Sequence, residues 1–240
     1  MFISGIREAW ARTVGDRNVT IAVVDGPADI HHPCFAGASL EQIRVGSPSS
    51  CNIAGPESCS HGTHVASILF AQHGRVRGLY GIAPQCRGVI VPIFRDDPNA
   101  RGRILSASQA DLAKGIDAAR QYGADIVNVS GGQLSNRGQV DRSLAEAVRK
   151  CEEQGVLVVA AAGNDGCDCS HVPALLPGVL PVGAVTSNGT PAAYSNYGEA
   201  YQKGVATLER RSRRQGRGVA GPARCGSSNR DRSRLRGRSL

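Results

Sequence analysis

Three segments of this 240-residue chain carry side chains able to handle protons, metals or developing charge. Val19 to Val24 runs straight into Asp25-Gly26-Pro27. A carboxylate at such a strand end can take part in catalysis, bind a metal or a ribose, or cap the turn that follows. Ser60-His61-Gly62-Thr63-His64 carries two imidazoles three residues apart. These can ligate a metal together, or His64 can be buried against backbone. Gly62, directly after His61, points to a tight turn in which two backbones come close. Val156 to Ala162 leads into Gly163-Asn164, where the amide can close its own turn.

Eight cysteines add a further possibility, at positions 34, 51, 59, 86, 151, 167, 169 and 225. The opening MFISGIREAW has neither the basic region nor the long apolar run of an export signal. The expected location is therefore cytoplasmic, and free thiols or a metal are expected ahead of disulfides. Cys167-Asp168-Cys169 is C-x-C rather than C-x-x-C, which makes a weak zinc signal.

The elements that must carry these residues alternate. Strands are expected over 18–24, 88–94, 125–129, 156–162 and 179–185, each an aliphatic run bounded by turn residues. Helices are expected over 62–72, 106–122 and 140–154, the last two closed by Gly123 and Gly155. Strand–helix alternation implies right-handed crossovers and a parallel sheet covered on both faces. Side chains that do chemistry on such sheets gather beyond the carboxyl ends of the strands. Asp25, Ser130 and Asn164 all fall there.

The chain has 41% apolar and 4% aromatic residues, so its core must be built from Val, Ile, Leu and Ala. No apolar stretch is long enough to span a membrane. The net charge of +8 is unevenly placed: 16 Lys and Arg face 18 Asp and Glu up to Gln202, and 12 face 2 from Lys203 onward. The body is mildly acidic, so neither nucleic acid nor a membrane is the expected partner. Residues 1–202 are read as one domain, and 203–240 as a basic Arg/Ser/Gly-rich tail that is disordered or out of frame.

Taken together and in order, IAVVDG, SHGTHVA, VNVSGG and AAAGN resemble the peptidase family of subtilisin, from Val19 to Gly198. Asp-before-His-before-Ser is that family's triad order. The resemblance implies a three-layer αβα fold with a parallel central sheet, incomplete at its C-terminal end. It implies serine endopeptidase chemistry on a peptide or protein substrate. Asp25 would orient His61, His61 would be the general base and later the acid, and His64 would be structural. Asn164 would donate to the oxyanion. Ser130-Gly131-Gly132 would be the strand edge on which an extended substrate pairs. Gly131 stands where Leu is commoner in the family, which alters a pocket wall. The family often binds structural calcium, but no Asp/Glu/Asn loop marks a site here, and no other cofactor is implied.

A narrower resemblance, to the PatA/PatG type of cyanobactin-maturation subtilisins, rests on VVDGPADIHHPCF, VNVSGGQ, the C-x-C after AAGN, and HVPALLPGVLPVGAV. It implies processing of a ribosomal precursor peptide. The family's Gly-Thr-Ser-x-Ala has only a faint echo in Gly226-Ser227-Ser228, which makes Ser228 the one weak candidate nucleophile. The residues behind it, RDRSRLRGRSL, cannot bury a helix face. A catalytically dead peptide-binding module is the competing expectation. A metal-binding domain using Asp25, His61 and His64 is a third.

Overall fold

The computed structural model describes residues 5–46, 50–135, 138–201 and 205–208. In chain order the elements begin with α1 (Ile6–Trp10), β1 (Thr20–Asp25), β2 (Leu40–Gln42), α2 (Cys51–Ala54), α3 (Pro56–Phe70) and β3 (Arg87–Pro92). An antiparallel pair follows, β4 (Arg95–Asp96) and β5 (Ile104–Leu105), and then α4 (Gln109–Gln121), β6 (Ile126–Val129), β7 (Gln133–Leu134) and α5 (Arg142–Glu153). The last elements are β8 (Leu157–Ala161), β9 (His171–Val172), β10 (Val179–Val185) and β11 (Val205–Leu208).

Seven strands form one parallel sheet in the order β11-β10-β8-β6-β1-β3-β2. All six residues of β1 are buried, as expected of a strand covered on both faces. Alternate side chains of β1 serve opposite layers because of the pleat. Ala22 and Val24 join Val89, Val127, Val129 and Val158 beneath α4 and α5. Ile21 and Val23 join Ile90, Ala66 and Phe70 beneath α3. This is the three-layer αβα arrangement expected from the alternating pattern. From β1 the chain builds towards β2 on one side, then crosses to β6, β8 and β10 on the other. The end of β1 beside β6 is thus the topological switch point, where sites in open α/β sheets form.

Three boundaries differ from the sequence reading. α4 starts at Gln109 because Ser108, rather than Ser106, is the N-cap, its hydroxyl accepting from the Asp111 backbone N–H at 3.1 Å. α3 starts at Pro56, six residues before the position expected from its apolar periodicity. Its N-cap, Gly55, has φ 102° and no side chain. The cap comes instead from β4: Asp96 Oδ1 accepts from the Ser58 N–H at 2.7 Å and Oδ2 from the Glu57 N–H at 3.1 Å. A carboxylate there also meets the positive end of the helix dipole. Replacing Asp96 by Ala is expected to cost about 1 kcal/mol, or roughly 3 °C in Tm for a chain of this size, measurable by thermal unfolding.

The third boundary lies at the C-terminal end. β11 pairs Val205–Leu208 with Val182–Val185, inside the range read from sequence as an irregular tail beginning at Lys203. Val205-Ala206-Thr207-Leu208 is a short strand signal hidden by the arginines that follow it. Leu208 is the last described residue of the compact unit. The rest of the tail, with Ser228, lies outside the described residues.

The cysteines also depart from expectation. Cys51 pairs with Cys59, and Cys167 with Cys169, where free thiols or a metal had been expected. Cys34, Cys86 and Cys151 are buried free thiols, and burial pushes Cys151 up to about 11. No helix among the described residues is long and apolar enough to cross a membrane.

Candidate active site

Asp25 is the last residue of β1 and has no solvent exposure. A buried carboxylate must find donors. Its Oδ1 accepts from the Gly26 backbone N–H at 2.5 Å and meets His61 Nδ1 at 2.7 Å. A carboxylate oxygen only accepts, so Nδ1 carries the hydrogen in this pair and the neutral ring keeps a lone pair on Nε2. The His61 side chain is 42% exposed. A half-exposed imidazole fixed from behind by a buried carboxylate is equipped to take a proton at Nε2 and return it.

This contact depends on α3 lying directly against the end of β1, and two glycines permit it. A β-carbon on Gly62 would stand 2.4 Å from the carbonyl oxygens of Gly26 and Pro27, and one on Gly26 would stand 2.2 Å from the Ser58 oxygen. The sequence reading placed His61 in a tight turn. His61 lies within α3, and what Gly62 permits is close approach of helix to strand. Thr63 of the same motif fixes the turn after Asp25, its hydroxyl accepting from the Asp29 N–H at 2.8 Å. His64 lines a groove of about 720 Å³ with His32 and Asp29, and His61 is not among its walls. Among the described residues no three His, Cys, Asp or Glu side chains are placed to hold a metal ion. The alternative of a metal held by Asp25, His61 and His64 therefore finds no support there.

β6 ends beside β1, with Val129 level with Val24, and β8 lies next, with Ala160 level with Val129. Ser130 and Asn164 thus leave the same edge of the sheet as Asp25, one and two strands away at about 4.8 Å per strand. In the Ser130-Gly131-Gly132 segment, both glycines are packed too closely for side chains. A β-carbon on Gly132 would stand 2.1 Å from the Val172 carbonyl oxygen, and one on Gly131 would stand 2.7 Å from the Phe94 ring. The buried Phe94 ring therefore occupies the space that a side chain at 131 would need.

Asn164 is exposed beyond the end of β8, leaving its amide open to a reacting group. Its turn is braced by Asn196, a residue with no role expected from sequence. Asn196 Oδ1 accepts from the Asp165 N–H at 2.8 Å, its Nδ2 donates to Asp165 Oδ2 at 3.2 Å, and its backbone N–H donates to the Gly163 carbonyl at 3.1 Å. A β-carbon on Gly163 (φ 104°) would stand 2.3 Å from Asn196 Nδ2. The available signal was Asn196's place in the Tyr-Ser-Asn-Tyr-Gly segment.

Comparison with known proteins agrees with this geometry. The model of the Subtilase family matches residues 16–208. The thermophilic serine proteinase of Bacillus sp. (strain AK1) is 34% identical over 191 residues, covering 79% of this chain and 44% of that protein. Subtilisin BL of Lederbergia lenta is 35% identical over 201 residues, covering 81% of this chain and 67% of that protein. Among solved structures, the prenylagaramide maturation protease PagA superposes with a TM-score of 0.73 at 46% identity, covering 86% of this chain and 67% of the other. The patellamide maturation protease PatA superposes with a TM-score of 0.68 at 47% identity, covering 81% and 66%. The chain spans less than half the length of the Bacillus proteinase. The match extends over most of the compact unit and includes every segment that carries the site, and the chain belongs to the subtilase family of serine peptidases.

Proposed function

We propose that this chain is a serine endopeptidase that cuts a ribosomally made precursor peptide in the cytoplasm. The observation carrying this reading is the 2.7 Å contact between the fully buried Asp25 and His61 Nδ1. In this reading His61 Nε2 takes the proton of a serine hydroxyl as its oxygen attacks the scissile carbonyl carbon. The carbonyl electrons move onto oxygen, where the Asn164 amide donates to the developing charge. Collapse of the tetrahedral species breaks the C–N bond, and His61 gives its proton to the departing amine. Water then repeats the sequence on the acyl-enzyme, and the serine recovers its proton. Asp25 holds the ring in the competent tautomer and balances the imidazolium. Ser130–Gly132 pairs with the extended substrate. Ser228, outside the described residues, is the serine the sequence offers as nucleophile.

The narrower substrate class is supported by similarity to two proteins named as maturation proteases. The PatG macrocyclase domain is only 27% identical, which favours cleavage over macrocyclisation. A competing reading, a peptide-binding module without turnover, is favoured by the arginine-rich sequence behind Ser228.

A fluorophosphonate probe separates the two. The enzyme reading expects a serine to be labelled in the folded wild-type chain, with labelling lost in His61→Ala. A folded chain that binds peptides but takes no label contradicts it. Replacing Asn164 by Ala is expected to lower kcat on the order of 10²–10³-fold, with little change in KM, because the amide acts mainly on the transition state. Steady-state hydrolysis of a peptide substrate measures both.

A further inference from the structure

The groove of about 720 Å³ beside α3 carries a disulfide on its wall. Cys51 and Cys59, joined to each other, both line it, and both residues are partly exposed. Sulfur on an open wall can be reached by a thiolate from solution. The free thiols are placed differently. Cys34, Cys86 and Cys151 are buried. Cys34 lines the same groove, but burial, and more weakly Asp29, push its thiol up. It therefore stays protonated and does not attack the neighbouring bond. Any exchange partner for that bond must come from outside the chain.

What this disulfide holds lies close to the Asp25–His61 pair. Its ring, residues 51–59, contains all of α2 and the first turn of α3. α2 is four residues long, has no side-chain cap at Ser50, and ends at Gly55 with φ 102°. One turn of helix does not hold itself. Besides the disulfide, Ala54 is buried and its carbonyl accepts from Ser58 Oγ at 2.9 Å. Cys59 stands two residues before His61. Its carbonyl accepts from the Thr63 hydroxyl at 2.7 Å, and that hydroxyl accepts from the Asp29 N–H at 2.8 Å. Two hydrogen bonds thus join Cys59 to the turn behind the Asp25–His61 pair.

We propose that Cys51–Cys59 is a thiol-exchange site, opened by a dithiol and closed by oxidation, that sets how firmly α3 presents His61. A thiolate of the dithiol attacks one sulfur, forming a mixed disulfide and releasing the other cysteine as a thiolate, which takes up a proton. The reagent's second thiol then displaces the remaining protein sulfur and closes the reagent's own disulfide. The chain gains two electrons and two protons, and the dithiol loses them. Closure reverses these steps, with a disulfide as the oxidant.

Opening removes the covalent constraint from the first turn of α3. Asp96 still caps that turn through the Ser58 and Glu57 N–H groups, and Gly62 still lies against Gly26, so the fold survives and the effect is graded. The segment from Cys59 to His61 gains freedom, the ring spends less time against Asp25, and turnover falls. This effect on turnover rests on the peptidase reading of His61; the exchange itself does not. In the cytoplasm proposed above, thiol pools keep an accessible disulfide reduced, and oxidation raises the activity. Cys167 and Cys169 are not among the walls of this groove, so their disulfide serves as the control.

The test compares the full chain, oxidised and after native incubation with dithiothreitol, by thiol alkylation with mass spectrometry, amide hydrogen exchange and hydrolysis of a peptide substrate. Cys51 and Cys59 are expected to be alkylated while Cys34, Cys86 and Cys151 stay protected. Exchange of the 57–61 amides is expected to quicken, Tm to fall by roughly 5–10 °C, and kcat/KM to drop on the order of tenfold. All three are expected to recover on reoxidation. The double variant of Cys51→Ser with Cys59→Ser is expected to match the reduced chain and ignore dithiothreitol. The double variant of Cys167→Ser with Cys169→Ser is expected to keep the response. A bond that resists dithiothreitol in the folded chain, or one that opens with either amide exchange or kcat/KM unchanged, overturns the proposal and leaves the peptidase reading standing. Faster exchange on reduction, with no hydrolysis in either state, overturns the peptidase reading and leaves the exchange site standing.

Discussion

Replacing Asp25 by Asn is expected to lower kcat/KM on the order of 10⁴-fold while leaving the chain folded. The loss follows from what Oδ1 does: it serves the Gly26 N–H and the His61 ring together. An amide has one accepting oxygen and one donating nitrogen. With the amide nitrogen in the place of Oδ1, its hydrogens point at His61 Nδ1. The ring must then hold its hydrogen on Nε2, where it can no longer take the serine proton. The shape and volume of the buried group barely change, so the folded state survives. Steady-state kinetics beside a thermal unfolding curve separate the two effects. A variant within tenfold of wild type would show that Asp25 does not set the tautomer.

A single methyl group on Gly62 is expected to be almost as costly by a different route. The added carbon of Gly62→Ala would stand 2.4 Å from two backbone oxygens, which cannot rotate away as a side chain could. α3 must move off the end of β1. Overpacking of this kind costs about 1–3 kcal/mol, and the shift also pulls His61 off Asp25. A displacement of about 1 Å is enough to lower activity on the order of 10²-fold. Both Tm and kcat should therefore fall, whereas Asp25→Asn should lower kcat alone. The contrast distinguishes a residue that acts on the ring from one that only lets the helix reach it.

What was legible in the sequence follows a physical pattern. Asp25, Ser130 and Asn164 could be placed because each ends a β-branched or aliphatic run at turn residues, and parallel strands align those ends. His61 was legible as an imidazole beside a glycine, but its place inside α3 was not, because the apolar periodicity begins only at residue 62. The start of α3 was not legible, since its cap, Asp96, comes from a strand 38 residues beyond Ser58. No local pattern encodes such a contact. The Cys51–Cys59 and Cys167–Cys169 pairings escaped for a related reason, because spacing alone does not show which thiols meet.

His171 meets Gly132 and Gly163, segments distant from one another in sequence, and the run HVPALLPGVLPVGAV does not encode that meeting. β2 and β11 were missed because runs of three and four residues carry too little periodicity to stand out. Asn196 lies in the Tyr-Ser-Asn-Tyr-Gly segment, but its work on the turn after β8 is a tertiary fact.

The pairing of Asp25 with the His61 ring is most directly tested by the ¹⁵N chemical shifts of the His61 imidazole at neutral pH, compared between wild type and Asp25→Asn. A hydrogen on Nδ1 and a bare Nε2 are expected in wild type, reversed in the variant. The same tautomer in both proteins, or a wild-type ring that exchanges freely between tautomers, would contradict it.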